Sequence, residues 1–145
     1  MDHKFRCDCP ITSALDVLGD RWVLVIVKLM LLEGRKTFKE FMASDESIAT
    51  NILSTKLKWL EEWRLVTKGQ LADNRKTNLY HLSDKGLSLT PLIVELALWS
   101  DQHLRTYNPT MDDNEGLAQM RNDKQAFTEY LQQQYRAQRI ATMGE

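Results

Sequence analysis

Residues 47–63 constrain the fold of this chain more than any other stretch, because they read as one amphipathic helix that needs covering on one side only. At about 100° per residue, Ile48, Ile52, Leu53, Leu57, Trp59, Leu60 and Trp63 fall on one broad half of a helical wheel. Thr50, Asn51, Ser54, Thr55 and Lys58 fall on the other, followed by Glu61 and Glu62 in the last turns. So wide an apolar half must be buried by neighbouring elements, while the polar half stays in water or meets a polar partner. Ser47 supplies a cap for a helix running from Ile48 to about Trp63. Lys56 breaks the pattern, since it projects into the apolar half, where only its methylenes are at home.

The elements available to cover that half are mostly helical, because three prolines and six glycines in 145 residues leave helical periodicity dominant. Pro10 reads as the first residue of a helix with Cys9 at the cap. This helix carries Ala14, Leu15 and Leu18 on its apolar side and ends at Gly19-Asp20. Trp22 to Glu33 follows. Its Val-Leu-Val-Ile-Val run has strand composition, but the apolar stretch is long and stops at Gly34, so it reads as helix. Thr37-Phe38-Lys39-Glu40 has the spacing of a capping box and opens a short third helix through Phe38, Phe41 and Met42. Beyond residue 63, Leu65 to Leu71 reads as a strand, Asp73 to Lys76 as a turn, and Leu79 to Leu82 as the returning strand. Ser83-Asp84 restarts a helix bearing Leu89, Leu92, Ile93, Leu96 and Trp99 on one side, with Pro91 expected to bend it. Tyr107-Asn108-Pro109 breaks the chain, and one polar helix, about Glu115 to Gln138, closes it. This order predicts a mainly α protein with a small β-hairpin wing, a winged helix-turn-helix. The domain is expected over residues 1–108, with a C-terminal helical extension over 109–145.

Composition narrows the function classes. A hydrophobic share of 43% and a charged share of 27% are ordinary for a soluble globular protein. The net charge of −1 gives no overall pull on a polyanion. Its distribution does, with 10 Lys/Arg against 7 Asp/Glu from Arg35 to Gly86 and 5 against 8 from Leu87 onward. A basic middle and an acidic tail suit a central segment that meets phosphates. The longest apolar stretch, Trp22 to Leu32, is interrupted by Lys28 and falls far short of the roughly 20 residues of a membrane span. The polar start, Met1 to Arg6, lacks the apolar region of a secretory signal. Cys7 and Cys9 are too close in sequence for a structural staple, so a cytoplasmic protein with reduced thiols is expected. Neither a zinc site nor any cofactor is expected, since His3, His81 and His103 are scattered relative to the cysteines. With no glycine-rich phosphate loop and no nucleophile motif, an enzyme is not expected either.

The residues that can carry chemistry are therefore few. The hydroxyl, amide and ammonium groups of Thr50, Asn51, Ser54, Thr55 and Lys58 are those that hydrogen-bond base edges and phosphates when a helix enters a major groove. Taken alone, the same face also fits plain solvation opposite a core. Arg75 and Lys76, at the hairpin tip, can reach phosphates or the minor groove beside that helix. Lys56 can snorkel out to a flanking phosphate. Cys9, capping a helix N-terminus, feels the positive end of the dipole, which favours thiolate; Lys4 and Arg6 would assist and Asp8 oppose. It is a candidate sensor of oxidants or electrophiles through sulfenic acid, mixed disulfide or adduct, with an inert capping cysteine as the alternative.

Several of these segments together resemble the HxlR-type regulators. Cys9 to Trp22 looks like that family's opening, with Cys-Pro, then Ala14-Leu15, then Gly19-Asp20-Arg21-Trp22. Ile48 to Val66 is similar to its recognition helix, with Leu53-Ser54-x-Lys56-Leu57 and Leu60-Glu61-Glu62. Tyr80 to Gly86 matches the end of the wing and the start of the next helix, and Pro91 and Trp99 sit where the family's Pro and Trp belong. The match spans about residues 7–104. The resemblance implies a winged-helix homodimer that binds a palindrome-like operator in double-stranded DNA, the first and post-wing helices building the dimer contact. It also aligns Cys9 with the cysteine some members use to sense quinones, aldehydes or oxidants. The alternative is a winged-helix protein-interaction module, in which the same polar face meets another protein; a thiol-based redox protein is a third reading. Three departures stand out. Arg64 occupies the place of a helix-ending glycine. The wing lacks the family's frequent prolines and is shifted in length. The tail beyond Pro109 lies outside the family core, its Leu117, Met120, Phe127, Leu131 and Tyr135 packing either on a dimer mate, the favoured reading, or on their own domain.

Overall fold

In the computed structural model, which describes residues 3–144, the apolar run after Asp20 is helix and not strand. Helix α1 spans Pro10–Leu18 and α2 Arg21–Glu33. The Asp20 carboxylate accepts from the amides of Trp22 (2.7 Å) and Val23 (2.9 Å), which gives α2 a formed cap. Gly34, at φ 65°, ends it in the left-handed conformation that glycine adopts without a Cβ penalty. Val23, Ile26, Val27, Leu29, Met30 and Leu31 are all buried, so α2 is the central rod. Helix α3, Phe38–Met42, opens on the expected capping box. The Thr37 hydroxyl accepts from the Glu40 amide, and the Glu40 carboxylate from the Thr37 amide, both at 3.1 Å.

Helix α4, Thr50–Glu62, buries Leu53, Leu57 and Leu60 against α2 and α3. Each such leucine contributes roughly 1.5–3 kcal/mol relative to exposure. Strands β1 (Val66–Leu71) and β2 (Asn74–Leu82) form an antiparallel hairpin, and the short α5 (Asp84–Leu87) follows. The Tyr80 amide donates to the Lys36 carbonyl (2.7 Å), which fastens β2 to the loop between α2 and α3. Phe41, Ile48, Leu65, Val66, Leu79, Leu82 and Leu87 complete this core. At Gly86 a Cβ would lie 2.0 Å from the Leu65 carbonyl oxygen, so the close approach of α5 to the end of α4 requires glycine.

A second compact unit begins at Ser88. It contains α6 (Thr90–His103), α7 (Glu115–Asn122) and α8 (Lys124–Met143). Val94, Met120 and Phe127 are its core, with Ala97, Leu98, Leu117 and Leu131 packed against them. Asp101 is its polar pin. Its carboxylate accepts from Arg105 (3.0 and 2.7 Å) and from Arg121 (2.7 and 2.7 Å). The two guanidiniums hold its carboxyl far below the usual carboxylate range.

Architecture and element order agree with the winged-helix expectation, and the differences are local. Ser47 does not cap α4; Ala49 holds that position, with no side-chain bond, and Ser47 itself adopts φ 56°. The post-wing helix is two helices. Pro91 sits in the first turn of α6, where its missing N–H costs nothing, so it starts a helix instead of bending one. The closing helix is also two, interrupted at Asp123, whose carboxylate caps α8 by accepting from Ala126 (3.1 Å). Of the tail's apolar residues, Met120, Phe127 and Tyr135 are buried within their own chain. By compactness the chain divides after Leu87.

Candidate nucleic-acid interface

Thr50, Asn51, Ser54, Thr55 and Lys58 are all exposed on α4, while Leu53, Leu57 and Leu60 on the opposite side are buried. The polar side thus faces water within the subunit, and no acid interrupts it before Glu61. Among the described residues nothing engages the Lys58 ammonium. The Thr55 hydroxyl donates to the Asn51 carbonyl (2.8 Å), one turn back, so only its lone pairs face outward. The absence of a side-chain cap leaves the first-turn amides of α4 to water or to an external acceptor.

The exit of α4 is tightly built. Arg64 adopts φ 59°, and its amide donates to the Glu61 carbonyl (2.9 Å) while the Leu65 amide donates to that of Leu60 (2.9 Å). These two bonds form a Schellman motif with arginine at the position that favours glycine. The segment before α5 locks it further. The Ser83 hydroxyl donates to the Arg64 carbonyl (2.6 Å), and the Lys85 ammonium to that of Trp63 (2.8 Å). The departure noted in the sequence therefore changes the residue and not the helix exit.

In the hairpin, Gly69 pairs with Leu79 and Leu71 with Asn74, so the four residues of β2 from Arg75 to Asn78 stand opposite Gln70 alone. The turn is Ala72-Asp73, one step earlier than expected, and Arg75 and Lys76 lie on this bulged strand and not at the tip. Both are exposed. Asn74 props the bulge, its side-chain amide donating to the Thr77 hydroxyl (3.3 Å) and its oxygen accepting from the Lys76 amide (3.3 Å).

Lys56 does not extend freely towards a flank. Its ammonium lies 2.8 Å from the Asp20 carboxylate, so the cap of α2 is also the counter-ion of a lysine on α4. The same lysine and the two capped amides hold the Asp20 carboxyl below its usual range, against the effect of its partial burial. One turn on, the Trp59 indole N–H donates to the Val17 carbonyl at the end of α1 (2.9 Å).

Cys9 occupies the N-cap of α1, ahead of Pro10, and is fully exposed. No donor reaches its sulfur with the geometry of a formed capping bond. The Thr12 amide and hydroxyl and the Ile11 amide still point towards Sγ, and together they lower the thiol pKa below its ordinary value. All three donors belong to the first turn of α1, and Lys4 and Arg6 take no part. Among the described residues no cluster of three or more metal-ligating side chains exists, and no helix is long and apolar enough to cross a membrane.

A helix-turn-helix followed by a two-stranded wing, with an exposed acid-free face on its last helix, defines a winged-helix transcriptional regulator. Residues 17–108 match the HxlR-like helix-turn-helix family, and the chain belongs to that family. It is 34% identical over 95 residues to the HTH-type transcriptional regulator YodB of Bacillus subtilis, which covers 65% of this chain and 84% of YodB. YvaP of the same organism shares 34% over 95 residues, covering 65% and 87%. The reduced form of the redox regulator HypR superposes with TM-score 0.61 at 25% identity, covering 70% of this chain and 99% of HypR. Quinone-bound YodB gives 0.54 at 32%, covering 65% and 99%. These relatives are transcriptional regulators and not enzymes.

Sequence reasoning missed the Asp20–Lys56 pair and the Trp59–Val17 bond. A lysine in the apolar half of a helix was the available signal, since such a charge needs a partner.

Proposed function

We propose that the chain is a cytoplasmic, dimeric, operator-binding regulator whose α4 enters the major groove of double-stranded DNA. The observation that carries this is the exposed, acid-free face of Thr50, Asn51, Ser54, Thr55 and Lys58, led by a first turn whose amides no side chain caps. Arg75 and Lys76, on the bulged strand, contact flanking phosphates. Lys56, held by Asp20, is at most a secondary phosphate contact.

Two faces support a homodimer. Helix α1 has no buried residue although it is apolar, with Ile11 73% and Leu15 59% exposed. In the second unit, α6 exposes Leu92, Leu96 and Trp99 along one stripe. Two-fold pairing then places half-sites about one helical turn of DNA apart, roughly 34–36 Å. Cys9 is the proposed site for an oxidant or electrophile, a reading supported by its exposure and lowered pKa and by the quinone-bound and diamide-treated forms of YodB.

Footprinting on promoter-proximal fragments tests the reading, and protection of a two-fold sequence is expected. Anisotropy titrations should show affinity falling steeply with salt. Binding that is flat with salt, or no protected sequence in any fragment of the source genome, removes the regulator reading in favour of a protein-interaction module.

A further inference from the structure

We infer that the outward face of α8 pairs with the same face of α8 in a second copy of this chain, the two helices running antiparallel about a two-fold axis near Gln133. This contact is separate from the dimer proposed on α1 and α6, and it does not depend on DNA binding.

Helix α8 carries two stripes. Phe127, Thr128 and Tyr135 are buried on one side. On the opposite side Ala126, Tyr130, Gln133, Ala137 and Ile140 are all exposed, and they recur at alternating intervals of four and three residues. That spacing is the seam of a helix pair. Its large members stand in water, with Tyr130 51% and Ile140 56% exposed. Its two alanines leave room for another backbone to approach. In the same unit, α6 turns its exposed Leu92, Leu96 and Trp99 away from the core of Val94, Met120 and Phe127, as α8 does with its seam. The two surfaces therefore point away from a shared core, and occupying one leaves the other open.

Shape and charge both select a second copy in the antiparallel sense. Where α7 meets α8, Ala126, Phe127 and Tyr130 floor an open notch of about 420 Å³, rimmed by Gln119, Asn122 and Asp123. Ile140 protrudes 14 residues beyond Ala126, about 21 Å along the helix, too far to fill the notch of its own chain. An axis near Gln133 stands seven residues from Ala126 and seven from Ile140, so it brings the Ile140 of each copy to the notch of the other. The same axis stands four residues from Glu129 and three from Arg136, which border the seam on one side. Glu129 of each copy then faces Arg136 of the other, the placing of flanking charges that sets orientation in coiled coils. Within its own chain Glu129 accepts only from the Gln125 amide (3.1 Å) among the bonds of its exposed surface, a weaker partner than a guanidinium. In a parallel pair Glu129 would flank Gln134, Arg136 would flank Ala141, and Ile140 would meet its own counterpart, leaving both notches empty. Gln133, a polar residue in mid-seam, fixes the register at a cost in strength.

Sedimentation velocity of the full-length chain, over a wide range of concentration, tests the pairing. With both contacts the chain should form species of four or more copies, which Ala137→Glu reduces to two. Leu96→Glu, on α6, should also leave two, and the two substitutions together should leave one. If the α6 dimer alone fails, the parent reads two, Ala137→Glu one and Leu96→Glu two, so the two contacts are told apart. Glu129→Arg and Arg136→Glu should each act as Ala137→Glu does. The double exchange restores opposite charges across the axis and should return the parent's mass, with helical circular dichroism unchanged. If Ala137→Glu unfolds α8, the charge exchanges alone decide. A mass that a folded Ala137→Glu leaves unchanged overturns the pairing. Single exchanges without effect, or a double exchange that restores nothing, overturn the antiparallel register.

Discussion

Replacing Arg64 by glycine should stabilise the protein, although it deletes a large side chain from a surface position. Arg64 is held at φ 59°, where an L-residue crowds its own Cβ against the backbone at a cost of about 1–2 kcal/mol. Glycine removes that cost but brings extra freedom to the unfolded chain, which returns roughly 0.5–1 kcal/mol. The net gain is up to about 1.5 kcal/mol and centres near 0.75, or a rise of up to about 6 °C in Tm for a chain of this length. The bonds of the Schellman motif and the one from Ser83 use the main chain of residue 64, so the substitution keeps them. Gly34 calibrates the argument within the same molecule. It has φ 65°, and a Cβ built there meets nothing within 4 Å, so Gly34→Ala should cost about 1 kcal/mol for conformational reasons alone. Urea unfolding followed by tryptophan fluorescence measures both, with Trp59 and Trp63 beside the motif; the midpoints should move in opposite directions at constant m. If Gly34→Ala destabilises as stated while Arg64→Gly also destabilises, the arginine side chain contributes more than its backbone strain costs, and the reasoning fails.

Lys76→Ala should weaken duplex binding evenly across sequences and flatten the slope of log K against log salt by about 0.9, read from anisotropy titrations. Asn51→Ala should instead relax base preference at one position of each half-site, by about 1–3 kcal/mol of discrimination, read from binding to single-base operator variants. Thr12→Val removes the side-chain donor facing Cys9 and should raise its pKa, moving the pH midpoint of alkylation upward towards that of the urea-unfolded chain. Because the Asp101 carboxyl is depressed below its ordinary 3.8, its contribution to stability is complete above that pH and is lost as pH falls through the folded value. In Asp101→Asn the acid-melting curve, followed by helical circular dichroism, should lose that pH dependence, and stability at neutral pH should fall.

The elements that the sequence made legible are those set by local chemistry. The Thr37/Glu40 box, Pro10 after Cys9 and the stop at Gly34 each involve residues within a few positions, and each stands where its pattern placed it. The hairpin was legible, but its turn was misplaced by a step because the excess of β2 residues opposite Gln70 depends on cross-strand pairing, which composition does not reveal. Ser47 failed as a cap for a similar reason. Its preference for the position is real, but the loop that brings Ile48 into the core puts residue 47 in left-handed backbone, two residues before the true cap.

Lys56 and α1 show where periodicity ends as a guide. A wheel marks Lys56 as misplaced, yet only the fold brings Asp20 to it, since the tie between α1 and α4 joins residues 42 apart at Trp59. The wheel also marks Leu15 as a core residue, and the structure leaves it exposed along with Ile11. An apolar stripe reports that a surface must be covered and does not report by what. In α2 the cover is the same subunit. In α1 no side chain of the subunit covers it fully, and the helix is pinned by Val17, Asp16 and the neighbouring Asp20 at its C-terminal end. A helix so held keeps its end contacts with α4 while its apolar side, with Ile11 and Leu15, stays exposed.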